Sequence, residues 1–211
     1  MTPEKPLLRD VAYQEIKARI LKGELYPTQV LSERFFIELL AMSKTPIKSA
    51  LAKLESEGFV TVTSNQGVTI RDLTVERIVH IYDLRVALES YVVERISGKL
   101  LREHVAKLEA NLFESQHAIE EGDGEAFTEI DHTFHLLLCE CFGNKEIYHM
   151  LLLYNAHLQR ITLKHLQQDM TRMAHFHKEH VNVLDALICG DGQARRLMVA
   201  HLEGAKRQLF L

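Results

Sequence analysis

The sequence predicts a mainly α-helical protein in two unequal parts, and three observations carry that prediction. Apolar residues recur at helical spacing over most of the chain, strand-like alternation is confined to residues 59–73, and the charge balance changes near residue 73. Residues 1–73 hold 10 Lys and Arg against 9 Asp and Glu, leaving 15 against 20 for residues 74–211, so the overall charge of −4 belongs to the second part. With 46% hydrophobic residues, 10 Gly and 4 Pro in 211 residues, the chain can bury a substantial core.

In residues 9–22, Ala12, Ile16 and Ile20 share one helical face with charges between, and Gly23 supplies a stop. Ser32 is placed to cap a second helix from about Glu33 to Ala41, with Phe35 or Phe36, Leu39 and Leu40 facing inward. A third helix follows after only "MSKT". Thr45 is its expected N-cap, Pro46 its first residue, Ile47, Ala50, Leu51 and Leu54 its apolar stripe, and Gly58 its end. Then "FVTVTSNQGVTIRDL" reads as strand, turn and strand, with Asn65 to Gly67 as the turn.

Two helices across a tight turn form a helix-turn-helix, and a hairpin directly after it forms a wing. A lysine-bearing helix by itself is usually a solvated face. Here Lys44, Lys48 and Ser49 collect at the N-terminal end of the third helix while Glu55 and Glu57 are held at the other end. That polarity, in this order of elements, points to a reader of double-stranded DNA. One winged helix covers one half-site, so a homodimer on an inverted-repeat operator is expected.

The run "LSERFFIELLAMSKTPIKSALAKLESEGFVTVTSNQGVTI" resembles the N-terminal domain of GntR-type bacterial transcription regulators, and the resemblance covers residues 9–71. It implies that Arg34, Lys44 and Lys48 occupy DNA-contacting positions and that Gly67 is the glycine of the wing tip. Ser43, Thr45 and Asn65 complete the expected DNA-facing set. Where the family usually carries arginine this chain has Lys44 and Lys48, and lysine lacks the two-pronged fork that reads guanine O6 and N7. Softer base discrimination is the expected consequence.

From Thr74 onward strand signals vanish, and six helices are expected near 74–97, 101–121, 124–141, 145–166, 171–189 and 192–210, punctuated by Gly98, Gly122, Gly143 and Gly190. Of 12 histidines, His80, His104, His117, His132, His149 and His157 read as ordinary residues. Four polar residues stand out because they fall on apolar stripes. Asp131 and His135 are i and i+4 beside Phe127, Phe134 and Leu138; His180 shares a face with Met173, Leu184 and Leu187; His201 follows Ala194, Leu197 and Met198. A buried carboxylate and three imidazoles are costly unless they satisfy one another or bind something. The residues alone leave two readings open, a hydrogen-bonded core cluster or a divalent metal site.

Asp-x-x-x-His, a later Glu-His before an apolar run and a final His-Leu resemble the FCD ligand-binding domain of FadR-type GntR regulators over residues 74–211. That resemblance implies a C-terminal all-helical domain in which Asp131, His135, His180 and His201 hold a divalent metal, zinc first, with nickel, manganese or iron as alternatives. It also matches Arg85 to the family's arginine of the first helix, which suits the grip of a small carboxylate effector. The equal alternative for Arg85 is a salt bridge to Glu89 on the same helix.

The resulting expectation is a winged helix-turn-helix over residues 1–73 and an effector- and metal-binding helical domain over residues 74–211, acting together as a transcription regulator and repressor. The alternatives are a regulator whose metal is structural or sensed directly, and a metal-dependent enzyme. Against the enzyme, no separate nucleophile or general base lies near these motifs. Cys139, Cys141 and Cys189 form no framework and suit a reducing cytoplasm, and no apolar run approaches a membrane span.

Overall fold

The computed structural model describes residues 6–64, 66–72 and 74–208. The chain divides into two compact units, residues 1–73 and residues 74–211. In the first unit the element order is α1 (Leu8–Leu21), β1 (Val30–Leu31), α2 (Glu33–Leu40), α3 (Lys44–Ser56), β2 (Val60–Thr63) and β3 (Gly67–Ile70). Its core is apolar throughout. Ala12, Ile16 and Ile20 of α1 meet Phe36 of α2, the stripe Ile47, Ala50, Leu51 and Leu54 of α3, and Phe59, Val60, Val68 and Ile70 from the hairpin, all essentially inaccessible.

Three local details differ from the sequence expectation. The third helix begins at Lys44, with Ser43 and not Thr45 in the N-cap position, so Pro46 is its third residue. Proline is tolerated there because the first-turn N–H groups have no intrahelical partner anyway. The inner face of α2 rests on Phe36, while Leu39 is 37% exposed, since eight residues give the helix room for one deep anchor. Between α2 and α3, Ala41 adopts a left-handed φ of 50°, and Met42 N–H donates to Ile37 O at 3.2 Å, closing the turn in a role that usually falls to glycine.

The hairpin also has a third strand that periodicity did not reveal. β1 pairs antiparallel with β3, Val30 opposite Thr69 and Leu31 opposite Val68, giving the sheet order β1-β3-β2. Two residues are too short to show an alternation. Gly67 is where the three strands meet: its φ is +107°, and a Cβ there would stand 2.6 Å from the Leu31 carbonyl oxygen.

The second unit consists, among the described residues, of six helices: α4 (Val75–Ile96), α5 (Arg102–Glu121), α6 (Gly124–Phe142), α7 (Lys145–Gln168), α8 (Arg172–Cys189) and α9 (Ala194–Arg207). Side-chain caps start three of them, from Thr74 to Arg77 N–H, Asp123 to Ala126 N–H, and Asn144 to Glu146 and Ile147 N–H. The main core joins Val92, Val93, Leu108, Phe134, Leu138, Val183, Leu187, Met198 and Leu202. At one corner Gly98 N–H donates to Leu187 O at 2.8 Å, and a Cβ on Gly190 would meet Gly98 Cα at 3.0 Å, so both residues must lack a side chain. No described helix is long and apolar enough to cross a membrane.

Replacing Gly67 by alanine forces a methyl against the β1 backbone at a strained φ, so it should destabilise the first unit by roughly 1–3 kcal/mol. Urea unfolding of the variant measures this; an unchanged midpoint would mean that β1 shifts aside without cost.

Candidate functional site

The first unit presents three cations of α2 and α3 outward. Arg34 lies in the first turn of α2 with its side chain 85% exposed, and Lys44 and Lys48 stand one turn apart at the start of α3, 65% and 57% exposed. Each is met by a carboxylate. Arg34 Nε lies 2.6 Å from Glu38 Oε1, while Lys44 and Lys48 lie 3.7 and 3.8 Å from the two oxygens of Glu33. Ser43 and Thr45 are exposed at the same helix end, where Ser43 makes no side-chain cap. Backbone N–H groups at such an end and the positive pole of the helix favour a phosphate. Gly67 sits at the start of β3, and Asn65 lies outside the described residues.

The second unit holds its polar residues inside. α6 supplies Asp131 and His135, α8 supplies His180 and α9 supplies His201, all buried. His180 Nε2 is 3.2 Å from both His135 Nε2 and His201 Nε2. Asp131 is adjacent without joining the three: its Oδ1 is 3.7 Å from His180 Nδ1, too long for a hydrogen bond, and has no hydrogen-bond partner. So the structure brings three of the four expected ligands to one point and leaves the fourth beside it, unsatisfied.

The outer ring nitrogens of two imidazoles are held by carboxylates. His135 Nδ1 is 2.5 Å from Glu89 Oε2, and His201 Nδ1 is 2.8 Å from Glu179 Oε2. Glu89 also accepts from Arg85 Nε at 2.6 Å through its other oxygen. For Arg85 the salt-bridge expectation is therefore realised, yet its Nη2 is buried with no hydrogen-bond partner, which leaves a donor for an anion. Tyr82, Arg85, Asp131, His132, Thr162 and His201 border a crevice beside the imidazoles with about 10 Å³ of open space, on the scale of one water molecule.

In the sequence Glu179 enters only as the residue before His180 in Glu-His, and His132 reads as ordinary. Glu179 stands next to His180 in the chain, and consecutive helical residues point about 100° apart, so it serves His201 on the neighbouring helix instead. His132 is buried and its Nε2 lies 3.0 Å from Thr162 Oγ1. The adjacency of each to a ligand was the only signal in the sequence.

Burial sets the protonation of the cluster. It holds His135 and His180 well below the usual imidazole range, with Arg85 and His201 acting in the same direction, and it brings His132 down to about 3. His135 is therefore neutral and donates its Nδ1 proton to Glu89, leaving a lone pair on Nε2. Burial raises the Asp131 carboxyl to about 6, against the opposing pull of His201 and Arg85.

These residues fit a divalent cation. Nitrogens bound about 2.0–2.1 Å from one zinc ion stand roughly 2.8–3.4 Å apart between octahedral and tetrahedral angles, the range in which the two 3.2 Å separations fall. The orphaned Asp131 oxygen and the carboxylates behind two imidazoles are what an inner and an outer ligand shell require.

Residues 80–204 match the FCD domain, and residues 8–70 match the family described as bacterial regulatory proteins, gntR family. The HTH-type transcriptional repressor RspR of Escherichia coli is 23% identical over 207 residues, 96% of this chain and 89% of that protein. The HTH-type transcriptional regulator YdhC of Bacillus subtilis is 27% identical over 140 residues, 66% of this chain and 62% of its own length. A GntR transcriptional regulator from Rhodococcus shares the fold, with a TM-score of 0.80 at 21% identity over 96% of this chain and 97% of that one. These relatives and structural neighbours are transcription regulators and not enzymes. The chain belongs to the GntR family of bacterial regulatory proteins, as a member whose second part is an FCD domain.

Proposed function

We propose that the protein is a cytoplasmic transcriptional repressor that binds an inverted-repeat operator as a homodimer, and that a small carboxylate bound at a divalent metal in the FCD domain sets its operator affinity. The observation that carries the second half is the meeting of three imidazole nitrogens beside two orphaned groups, the Asp131 oxygen and Arg85 Nη2. One is an acceptor suited to a cation, the other a donor suited to an anion.

Charge supports a divalent ion. With the imidazoles neutral, Asp131, Glu89 and Glu179 bring three carboxylates against one guanidinium, that of Arg85, so two positive charges balance the ionised cluster. A bound ion would supply a Lewis-acidic anchor for a carboxylate oxygen. The residues do the rest: Asp131 and the three histidines hold the ion, and Arg85 offers Nη2 to the ligand while Glu89 keeps its Nε in place. The crevice is too tight here for a dicarboxylate, so binding must open it, and that movement is what could report occupancy to the DNA-binding unit. A dimer is supported by the exposed apolar residues Met150, Leu152 and Leu153 of α7.

At the DNA surface, Glu33 and Glu38 hold the cations at exposed sites where such pairs are worth about 0–1 kcal/mol, so phosphates can displace them. Lys48→Ala should weaken operator binding by about 1–3 kcal/mol and random DNA by less if the lysine reads a base. Equal losses on both, with the salt slope reduced by about 1, would make Lys48 a phosphate contact only.

Purified protein should carry about one divalent ion per chain, lost in His135→Ala and His201→Ala. Because burial keeps His135 and His180 neutral, a proton on Asp131 is a competitor of the ion. Below about 6 that carboxyl is protonated and a poor ligand, so metal affinity should fall there. Asp131→Asn should bind more weakly at neutral pH and lose this part of the pH dependence, as measured by chelator competition from pH 5 to 8.

A panel of small di- and hydroxycarboxylates titrated into an operator-binding assay should contain one that shifts affinity about 5 to 150-fold. If it shifts Asp131→Ala equally, the acid acts elsewhere and the metal is structural.

A further inference from the structure

We propose that Glu89 and Glu179 are positioning residues of the metal centre, fixing the protons of His135 and His201 on Nδ1 so that both Nε2 lone pairs face His180. This rests on the metal reading above. The geometry is the same on two different helices. Glu89 of α4 takes the Nδ1 proton of His135 at 2.5 Å, and Glu179 of α8 takes that of His201 at 2.8 Å. A carboxylate can only accept, so each imidazole is the Nδ1–H donor, and in its neutral form that leaves Nε2 unprotonated.

Each carboxylate is itself held by its other oxygen. Glu89 Oε1 lies 2.6 Å from Arg85 Nε, and Glu179 Oε1 lies 3.2 Å from His175 Nε2. Neither is therefore a chance contact of a mobile side chain.

His180 is different. Its Nδ1 stands 3.7 Å from Asp131 Oδ1, beyond hydrogen-bond reach, and its Nε2 faces two lone pairs at 3.2 Å. Two unprotonated nitrogens at that distance need a proton between them in the absence of an ion, and His180 is the one ring able to supply it. The metal-free cluster thus has a defined arrangement: Nδ1–H on His135 and His201, Nε2–H on His180. Binding an ion then requires a change of tautomer at His180 alone, while the other two ligands are ready.

Two measurements test this. Long-range proton–nitrogen NMR of the metal-free protein should show Nδ1–H tautomers for two of the three imidazoles, His135 and His201, and an Nε2–H tautomer for His180. Finding Nε2 protonated on His135 or His201 overturns the inference. Cobalt(II) binding, followed by its visible absorption and by chelator competition, should weaken 10 to 100-fold in Glu179→Ala. Glu179→Gln, whose amide oxygen can still accept the His201 proton, should recover most of that loss.

Glu179 is the better test because it is half-buried, whereas replacing Glu89 also strands the buried Arg85 and risks the fold. Wild type that binds cobalt while Glu179→Ala binds it equally well overturns the positioning role and leaves the metal site standing. Wild type that binds no cobalt overturns the metal reading, and this inference with it.

Discussion

Three imidazoles that share one point in a water-poor interior are the constraint around which the FCD domain is organised. Lone pairs 3.2 Å apart repel unless a proton or a cation lies between them, and at low dielectric that repulsion is not screened. The cluster draws on four helices, Arg85 and Glu89 from α4, Asp131 and His135 from α6, Glu179 and His180 from α8 and His201 from α9. Its geometry therefore fixes how those helices pack. The apolar core is threaded through the same segments: Phe134 stacks on His180 with ring centroids 4.3 Å apart, and Leu138 and Met198 lie one turn from His135 and His201. Close packing of this kind leaves little freedom for a ligand to drift, which is how a soft helical scaffold achieves a rigid site.

The DNA-binding unit solves the opposite problem. Arg34, Lys44 and Lys48 sit at its surface, where water carries their solvation and their partners can be exchanged, while Lys17 and Glu57 form a more enclosed pair, 16% and 14% exposed. Glu33 between Lys44 and Lys48 illustrates the point. A phosphate offers the same lysines a full charge and a release of counterions, so the surface carboxylate is a weak competitor. The buried cluster cannot exchange partners in this way.

How much of this was legible in the sequence depends on the period of each signal. The nine helices of the described residues follow from apolar spacing and from glycines such as Gly122 and Gly143, whose positive φ ends the preceding helix. β1 did not show, because two residues have no period, and Gly67 read as a turn glycine when its tight contact is with a strand 36 residues earlier. Thr45 reads as the cap of α3, two residues late, because Pro46 is acceptable anywhere in a first turn. In the site, histidines on apolar stripes were visible because polar residues break a pattern. What did not show is that Glu89, expected only as a partner of Arg85, and Glu179, met only as the residue before His180, reach histidines on other helices. Pairings between helices carry no local signature.

Glu89 joins the two halves of the site more directly than any other residue. One oxygen fixes the proton of His135, and the other holds the guanidinium whose remaining nitrogen lacks a partner. An anion that engages Arg85 weakens its hold on Glu89, and a more basic Glu89 draws harder on the His135 proton and makes Nε2 a stronger donor to a cation. If the proposed ion and carboxylate both bind, they would favour one another even without direct contact, and by reciprocity each would raise the affinity of the other by the same factor. A site so coupled responds most steeply when both are present. In the proposed repressor, such coupling would make occupancy by the carboxylate, and not by the metal alone, the effective signal.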